Sequence, residues 1–133
     1  MTYHLQIVTP DGLHFDGQVL KLFIPTINGQ VGILARHINY VTGLGMGIAK
    51  VVTEEGERYG ACIGGMVAVT DGAVKVVATT FEWADEIDTQ RAKASIERAE
   101  AMLSDPNADD QTKTYAQARL KRAKVRLSAA EKR

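Results

Sequence analysis

The sequence predicts an antiparallel β-sandwich or β-barrel at the N-terminus, followed by an antiparallel pair of α-helices. Two observations on the 133 residues support this prediction: the distribution of glycine and alanine, and the repeat of the apolar residues. All 12 glycines lie at or before Gly72, whereas the last 50 residues contain eleven alanines and no glycine. Glycine favours turns and alanine is the best helix former, so this change marks a structural boundary. We therefore place a β-domain over residues 1–85 and a helical part over residues 86–133.

The β-domain is predicted from short apolar runs that alternate with turn signals. The apolar runs cover residues 5–8, 19–24, 41–52, 58–70 and 73–80. The turns between them contain glycine, as in Pro10-Asp11-Gly12, Asn28-Gly29 and Asp71-Gly72. An Asp-Gly pair between two strand-sized runs is typical of an antiparallel hairpin. We interpret Gly64-Gly65, within one run, as a bulge or a tight strand entry rather than a phosphate-binding loop.

The helical part has apolar residues at alternating spacings of four and three, which is the repeat of one helix face. On the first helix, residues 88–103, this face consists of Ala92, Ile96, Ala99 and Leu103. On the second helix it consists of Ala116, Leu120, Ala123, Leu127 and Ala130. The polar turn of residues 104–107 joins the helices, and Asp109 or Asp110 can cap the second one. Because alanine buries little apolar area, we expect the hairpin to be marginally stable without further contacts.

The formal net charge is zero, but the charges are unevenly distributed along the helical part. Residues 82–110 carry nine acidic and three basic side chains, a net charge of −6. Residues 113–133 carry eight basic side chains and one acidic side chain, a net charge of +7. Helices of opposite charge attract each other when they pack together, whereas a released basic helix would bind an acidic partner. The hairpin is therefore predicted to be a two-state element.

The sequence contains none of the common catalytic motifs, such as G-x-S-x-G, H-E-x-x-H or a Walker-type phosphate loop. The single Cys62 cannot form an internal disulfide, and His4, His14 and His37 lack metal-ligand spacing, so we interpret the histidines as structural. The first residues lack signal-peptide features and no apolar stretch reaches about 18 residues, so the chain is expected in the cytoplasm. We predict no catalytic residue, metal site or redox cofactor.

Four short motifs occur in the order found in one known protein family. They are Ile7-Val8-Thr9-Pro10-Asp11-Gly12, Gly32-Ile33-Leu34 followed by His37, Gly64-Gly65-Met66-Val67-Ala68-Val69, and Ile87-Asp88-Thr89-Gln90-Arg91-Ala92. With these motifs, and with a β-domain before a helical hairpin, the chain resembles the epsilon subunits of bacterial F-type ATP synthases over essentially its full length. Ala35, Arg36 and Asn39 depart from the family, which usually has Pro, Gly and Pro there, so that loop is expected to differ in shape.

The resemblance implies a β-sandwich of about ten strands in a non-catalytic subunit of a proton-translocating ATP synthase. It implies a peripheral location in the F1 sector, on the cytoplasmic face of the bacterial cell membrane and attached only through the complex. The implied partners are the gamma subunit, the ring of c subunits and the catalytic beta and alpha subunits. The resemblance further implies a hairpin that either lies folded on the sandwich or extends into the catalytic head, where it would inhibit ATP hydrolysis. The charge of +7 on residues 113–133 offers a physical reason for that docking.

The resemblance also implies ATP as a regulatory ligand of the folded hairpin. The matching residues are Glu82, Ile87, Asp88, Arg91, Ala92, Arg98, Arg122 and Arg126. Ile87 and Ala92 would contact the adenine, Asp88 would hydrogen-bond the base or order the site, and the arginines would neutralise the phosphates. One further basic position of the family's ATP binders corresponds to Tyr115, which cannot pair with a phosphate.

Simpler interpretations and other functions stay open at this point. Asp88 is also a plausible N-cap of the first helix, and Arg119, Arg122 and Arg126 fit a solvated face. The basic helix is compatible with a nucleic-acid or ribosome-binding module, but it is poor in aromatic residues and paired with an acidic helix. We therefore expect no nucleic-acid partner. An enzyme built on the β-domain would need a pair of acid–base residues, which the sequence does not show.

Overall fold

The computed structural model describes residues 1–132, which form a β-domain followed by two α-helices. Within these residues the eight strands are β1 (Tyr3–Thr9), β2 (Gly12–Val19), β3 (Lys21–Thr26), β4 (Gly29–Leu34), β5 (Tyr40–Gly43), β6 (Met46–Thr53), β7 (Gly56–Thr70) and β8 (Ala73–Trp83). A short 3₁₀-helix (Ala84–Glu86) precedes α1 (Thr89–Ser104), and α2 (Asp110–Ala130) follows a turn. Arg133, the last residue of the predicted basic segment, lies outside the described residues.

The described strands form one continuous sheet that folds over itself. Their order is β2-β1-β8-β7-β6-β3-β4, with β5 paired to β7, and every pairing is antiparallel except the parallel pair β1–β8. Although β1 and β4 are far apart in this order, the Tyr3 hydroxyl donates a 2.6 Å hydrogen bond to the carbonyl oxygen of Ile33. One core combines buried side chains from distant strands, among them Leu5, Leu22 and Val51. The β-domain is therefore a sandwich, as predicted.

The expected number of about ten strands is wrong, because residues 1–132 contain eight strands. The length of strand β7 accounts for part of this difference. This 15-residue strand pairs with β6 up to Ile63 and with β5 from Met66 onwards, while it pairs with β8 from Gly60 to Thr70, on both sides of this change. At the change of partner stand Gly64 and Gly65, with φ angles of 69° and 112°. Because glycine adopts such angles readily, the strand bends there and continues without a break from its pairing with β6 to its pairing with β5. The Gly-Gly pair thus lies in the middle of a strand, at a bend that keeps the register with β8, and not at a bulge or a strand entry as predicted.

Both helices begin at predicted aspartate caps. The Oδ1 atom of Asp88 accepts a 3.0 Å hydrogen bond from the backbone N–H of Arg91, and that of Asp109 accepts a 2.7 Å hydrogen bond from the backbone N–H of Thr112. The predicted apolar faces form the contact between the helices. Their alanines are buried and their larger side chains are half-buried; the alanines are Ala92, Ala99, Ala116, Ala123 and Ala130. Close packing of small side chains therefore replaces a large apolar core, as the sequence predicted.

The end of α2 packs on the sandwich, so the hairpin is in its folded position. Ala129 and Ala130 of α2 are buried together with Ala61 of β7 and with Ile87, and we call these four residues the docking cluster. Three of the four are alanines, and the free energy of apolar burial grows with buried area. The docking cluster therefore stabilises the folded hairpin only modestly.

We expect Ala129→Glu to release the hairpin from the sandwich. Ala129 is fully buried in the docking cluster, and burying an unpaired carboxylate there costs about 3 kcal/mol or more. Hydrogen exchange of the backbone amides of α2 should therefore become much faster. The matched control is Ser128→Glu, which adds the same charge at the exposed neighbouring position. Equal exchange in the two variants would contradict the role of the docking cluster.

Candidate functional site

A cavity of about 930 Å³ lies between the sandwich and the hairpin. All eight residues that the resemblance assigned to ATP line it: Glu82, Ile87, Asp88, Arg91, Ala92, Arg98, Arg122 and Arg126. The other lining residues are Asp11, His14, Thr80, Phe81, Glu86, Ser95, Tyr115, Arg119 and Ala123. The fold thus brings the whole predicted residue set to one place, from the end of β8 and from both helices.

The antiparallel packing of the helices collects the arginines on one side. Arg119 Nε donates a 3.0 Å hydrogen bond to Ser95 Oγ, so these residues lie opposite each other across the helix pair. Arg91 lies four residues before Ser95 and Arg98 three residues after it, which places all three on one face of α1. Arg122 follows Arg119 by three residues on α2. The two helix faces that line the cavity are therefore both rich in arginine.

Glu82 and Arg126 form an ion pair that joins β8 to α2. Arg126 Nε lies 2.8 Å from Glu82 Oε1, and the two side chains are 29 % and 35 % exposed, respectively. Partial burial weakens the screening by solvent, so this pair is stronger than one on an open surface. Two of the predicted ligand residues therefore bind each other in this structure, and their bond holds the hairpin against the sandwich.

Ile87 and Asp88 border the cavity and also have structural roles. The carboxylate of Asp88 caps α1, as the simpler interpretation of this residue predicted. Ile87 is only 3 % exposed, because it packs in the docking cluster with Ala129 and Ala130. Since the same residue contributes to the docking cluster and to the cavity, undocking of α2 would also dismantle this edge of the cavity.

The α2 arginines are less exposed than the interpretation as a solvated face implies. Arg119, Arg122 and Arg126 are half-buried and line the cavity. Arg119 and Ser95 were not among the predicted site residues, although helical spacing could have indicated both. Arg119 precedes Arg126 by seven residues, two turns on the same face, and Ser95 follows Arg91 by four.

His14 reaches the cavity from the sandwich, on strand β2. Its Nε2 atom lies 2.8 Å from Thr9 Oγ1, and its ring packs edge-on against Phe81 with the ring centroids 5.7 Å apart. This hydrogen-bonded, packed environment confirms the prediction of a structural histidine. Its position beside the arginines had no signal in the sequence, because no spacing connects a strand residue with a helix face far along the chain.

The electrostatics of the cavity suit a ligand with several negative charges. Its lining contains five arginines and four carboxylates, of which Arg126 and Glu82 are already paired. The planar guanidinium group offers several N–H donors in one plane and matches the oxygens of a phosphate group. Seven residues of α-helix separate the outer arginines on each helix, so the positive charges extend over about 10 Å. A chain of phosphates would contact more of them than a single anion.

Two findings on the described residues bear on other classes of site. Within residues 1–132, no group of three or more His, Cys, Asp and Glu side chains is arranged to hold a metal ion. Neither α-helix in this part of the chain combines the length and apolar character of a membrane span.

Comparison with known protein families accounts for nearly the whole chain. The family described as ATP synthase, Delta/Epsilon chain, beta-sandwich domain matches residues 2–84, and the one described as ATP synthase, Delta/Epsilon chain, long alpha-helix domain matches residues 85–131. The ATP synthase epsilon chain of an Exiguobacterium species is 38 % identical over 96 % of this chain and 94 % of its own length. The epsilon chain of Staphylococcus aureus is 38 % identical over 98 % of this chain and 97 % of its own.

Solved structures agree with these relatives. A chain in the cryo-EM structure of the Euglena gracilis mitochondrial ATP synthase (OSCP/F1/c-ring in rotational state 1) is 27 % identical, with a TM-score of 0.81 over 96 % of this chain and 79 % of that chain. A chain of the Tetrahymena thermophila mitochondrial ATP synthase (central stalk/c-ring) has a TM-score of 0.60 at 17 % identity over 96 % of this chain and 95 % of that one, and shows the fold alone. Together with the family matches, these relatives show that the chain belongs to the family of ATP synthase epsilon chains, which are non-catalytic subunits of F-type ATP synthase, as its sequence motifs predicted.

Proposed function

We propose that this chain links the central stalk of an ATP synthase to its c-ring and inhibits ATP hydrolysis through its hairpin, which bound ATP holds folded. The observation that carries the regulatory part is the convergence of the eight predicted ligand residues on one cavity. The rotor part is supported by the Euglena gracilis relative, which belongs to an assembly of F1 and a c-ring. Membrane attachment, on the cytoplasmic face of the bacterial membrane, then follows through the complex.

An exposed apolar face of the sandwich supports a protein partner. Val41, Met66 and Val77 are 61 %, 52 % and 45 % exposed. Met66 pairs with Val77, and Val41 pairs with Ala68, two residues further along β7, so these side chains lie on one face of the sheet. Adjacent exposed apolar side chains mark interaction sites. We assign this face to the rotor, that is, to the gamma subunit or the c-ring.

The inhibitory partner is assigned from charge. Residues 113–133 carry a net charge of +7. In the folded hairpin, the part of this segment that belongs to α2 packs against α1, which lies in the acidic segment of residues 82–110. Opening breaks the ion pair of Arg126 with Glu82 and exposes the basic helix. The released helix would then dock on acidic surface of the catalytic beta and alpha subunits and block their rotation-coupled hydrolysis.

ATP is the regulatory ligand because its binding site exists only in the folded hairpin. With α2 docked, the arginines of α1 and α2 and Glu82 of β8 line one cavity, and undocking of α2 would separate them. A ligand that binds one state stabilises it by RT ln(1 + [L]/Kd), about 2.7 kcal/mol at a hundredfold excess over Kd. The docking cluster is small, so a term of this size decides which state prevails.

We therefore expect ATP to raise the melting temperature of the full chain by roughly 10 °C at a hundredfold excess over Kd. ADP should raise it less, because it offers fewer charges to the arginines. Arg91→Ala should remove most of the shift, since it deletes one guanidinium from the cavity lining. Differential scanning calorimetry and titration calorimetry check both expectations.

The control is Lys93→Ala, which deletes a positive charge from the same helix at an exposed position outside the cavity lining. This variant should respond to ATP like the unmodified chain. Absence of binding heat and of any melting shift with millimolar ATP in the unmodified chain would overturn the regulatory part of the proposal. The hairpin would then be an inhibitory arm without a nucleotide sensor.

A further inference from the structure

Arg119 is held in the cavity by a hydroxyl group, whereas Arg126 is held by a carboxylate. Its side chain is half-buried, and its Nε atom donates a 3.0 Å hydrogen bond to Ser95 Oγ on the opposite helix. Ser95 also lines the cavity. Because the hydrogen bond uses Nε, the two terminal nitrogens and their four N–H groups remain available for a ligand. The hydrogen bond also fixes the plane of the guanidinium group.

The charge of Arg119 has no protein counter-ion among residues 1–132. No carboxylate there lies within 4.0 Å of its guanidinium, whereas Arg126 is paired with Glu82 at 2.8 Å. A partly buried charge without a partner is unfavourable, and an anion that binds it recovers this cost. A phosphate that binds Arg126 must share that arginine with Glu82, but one that binds Arg119 displaces no ion pair.

Arg119 is also the first of the three arginines that α2 contributes to the cavity lining. Tyr115, one helical turn before it on the same face of α2, lines the cavity and is 54 % exposed, but it is uncharged. Arg122 and Arg126 follow Arg119 on the same side of the helix. Arg119 therefore extends the row of guanidinium groups on α2 to about 10 Å, two turns of helix.

We propose that Arg119, oriented by Ser95, is a phosphate-binding residue of the nucleotide that occupies this cavity. This proposal rests on the proposed function, because it assigns a further residue to the same site. Arg119 binds the phosphate chain directly through its terminal nitrogens, and Ser95 is a positioning residue that acts through Arg119.

The test compares Arg119→Gln with Lys121→Gln in the full chain, by titration calorimetry with ATP and with AMP. Both variants delete one positive charge from α2, but Lys121 is exposed and does not line the cavity. Loss of a charge-assisted hydrogen bond should weaken ATP binding about tenfold in Arg119→Gln, whereas Lys121→Gln should stay within about twofold of the unmodified chain. AMP, with its single phosphate, should lose less affinity than ATP, which a purely structural role of Arg119 would not produce.

A second variant tests the part played by Ser95. Ser95→Ala should weaken ATP binding by a few fold, and should have no additional effect when it is combined with Arg119→Gln, since the serine acts only through the arginine. If the unmodified chain binds ATP and Arg119→Gln binds it as tightly as Lys121→Gln does, this inference is wrong and the proposed function stands. If the unmodified chain does not bind ATP, this inference and the regulatory part of the proposed function are both overturned.

Discussion

Gly65→Ala is expected to prevent the β-sandwich from folding stably. Gly65 has a φ angle of 112°, and a Cβ atom built there would lie 2.7 Å from the Cα atom of Ala78 and closer still to the carbonyl oxygen of Val77. Both neighbours are backbone atoms of the paired strand β8, so the clash cannot be relieved by the movement of a side chain. The clash lies at the bend where β7 changes from β6 to β5. We expect the free energy of unfolding to fall by more than about 4 kcal/mol, which is much of the stability of a typical domain.

Denaturant unfolding and the reactivity of Cys62 measure this effect. Cys62 is fully buried, and burial raises the pKa of its thiol to about 12, so it should react with thiol reagents only when the sandwich opens. The matched control is Gly12→Ala, which has a φ angle of 128° but no atom within 4 Å of the added Cβ. That variant should lose only the backbone strain, about 1–2 kcal/mol. If both variants lost the same free energy of unfolding, backbone strain and not the steric clash would explain the effect of Gly65→Ala.

A chain that ends at Glu86 should keep the sandwich folded and lose all inhibition of ATP hydrolysis. The main core takes its buried residues from Tyr3 to Trp83 and none from the helices. Removal of the helices uncovers Ala61 in the docking cluster and frees Glu82 from its ion pair with Arg126, but it takes no side chain from the main core. The shortened chain should therefore fold and still bind the gamma subunit, while the basic segment proposed to block the catalytic subunits is gone.

The measurement is ATP hydrolysis by the reconstituted complex, with the shortened chain compared with the full chain and with Ala129→Glu. The full chain should inhibit, the shortened chain should not, and Ala129→Glu should inhibit more strongly because its hairpin is released. Binding to the gamma subunit and protection of Cys62 show in parallel that the sandwich is intact. Full inhibition by the shortened chain, or failure of its sandwich to fold, would refute the division of roles between the two parts.

The sequence alone predicted the features that depend on neighbouring residues. The aspartate cap of α1, the alternation of alanines along both helices and the hairpin turn at Asp71-Gly72 all follow from local rules. The structure bears these out because backbone propensity, capping and periodicity act within a few residues. The family motifs at Gly64-Gly65 and at Ile87–Ala92 also lie within short segments, so they could be found without a fold.

Tertiary structure alone decided which residues meet. The strand count depends on β7 remaining continuous through Gly65, because its hydrogen bonds to β8 extend past the bend. The ion pair of Glu82 with Arg126 joins residues 44 positions apart. Arg119 lies in the cavity because the register of the two helices places it opposite Ser95. Such contacts are set by the packing of whole elements. A sequence pattern predicts which residues share one face of a helix, but it does not predict what that face will contact.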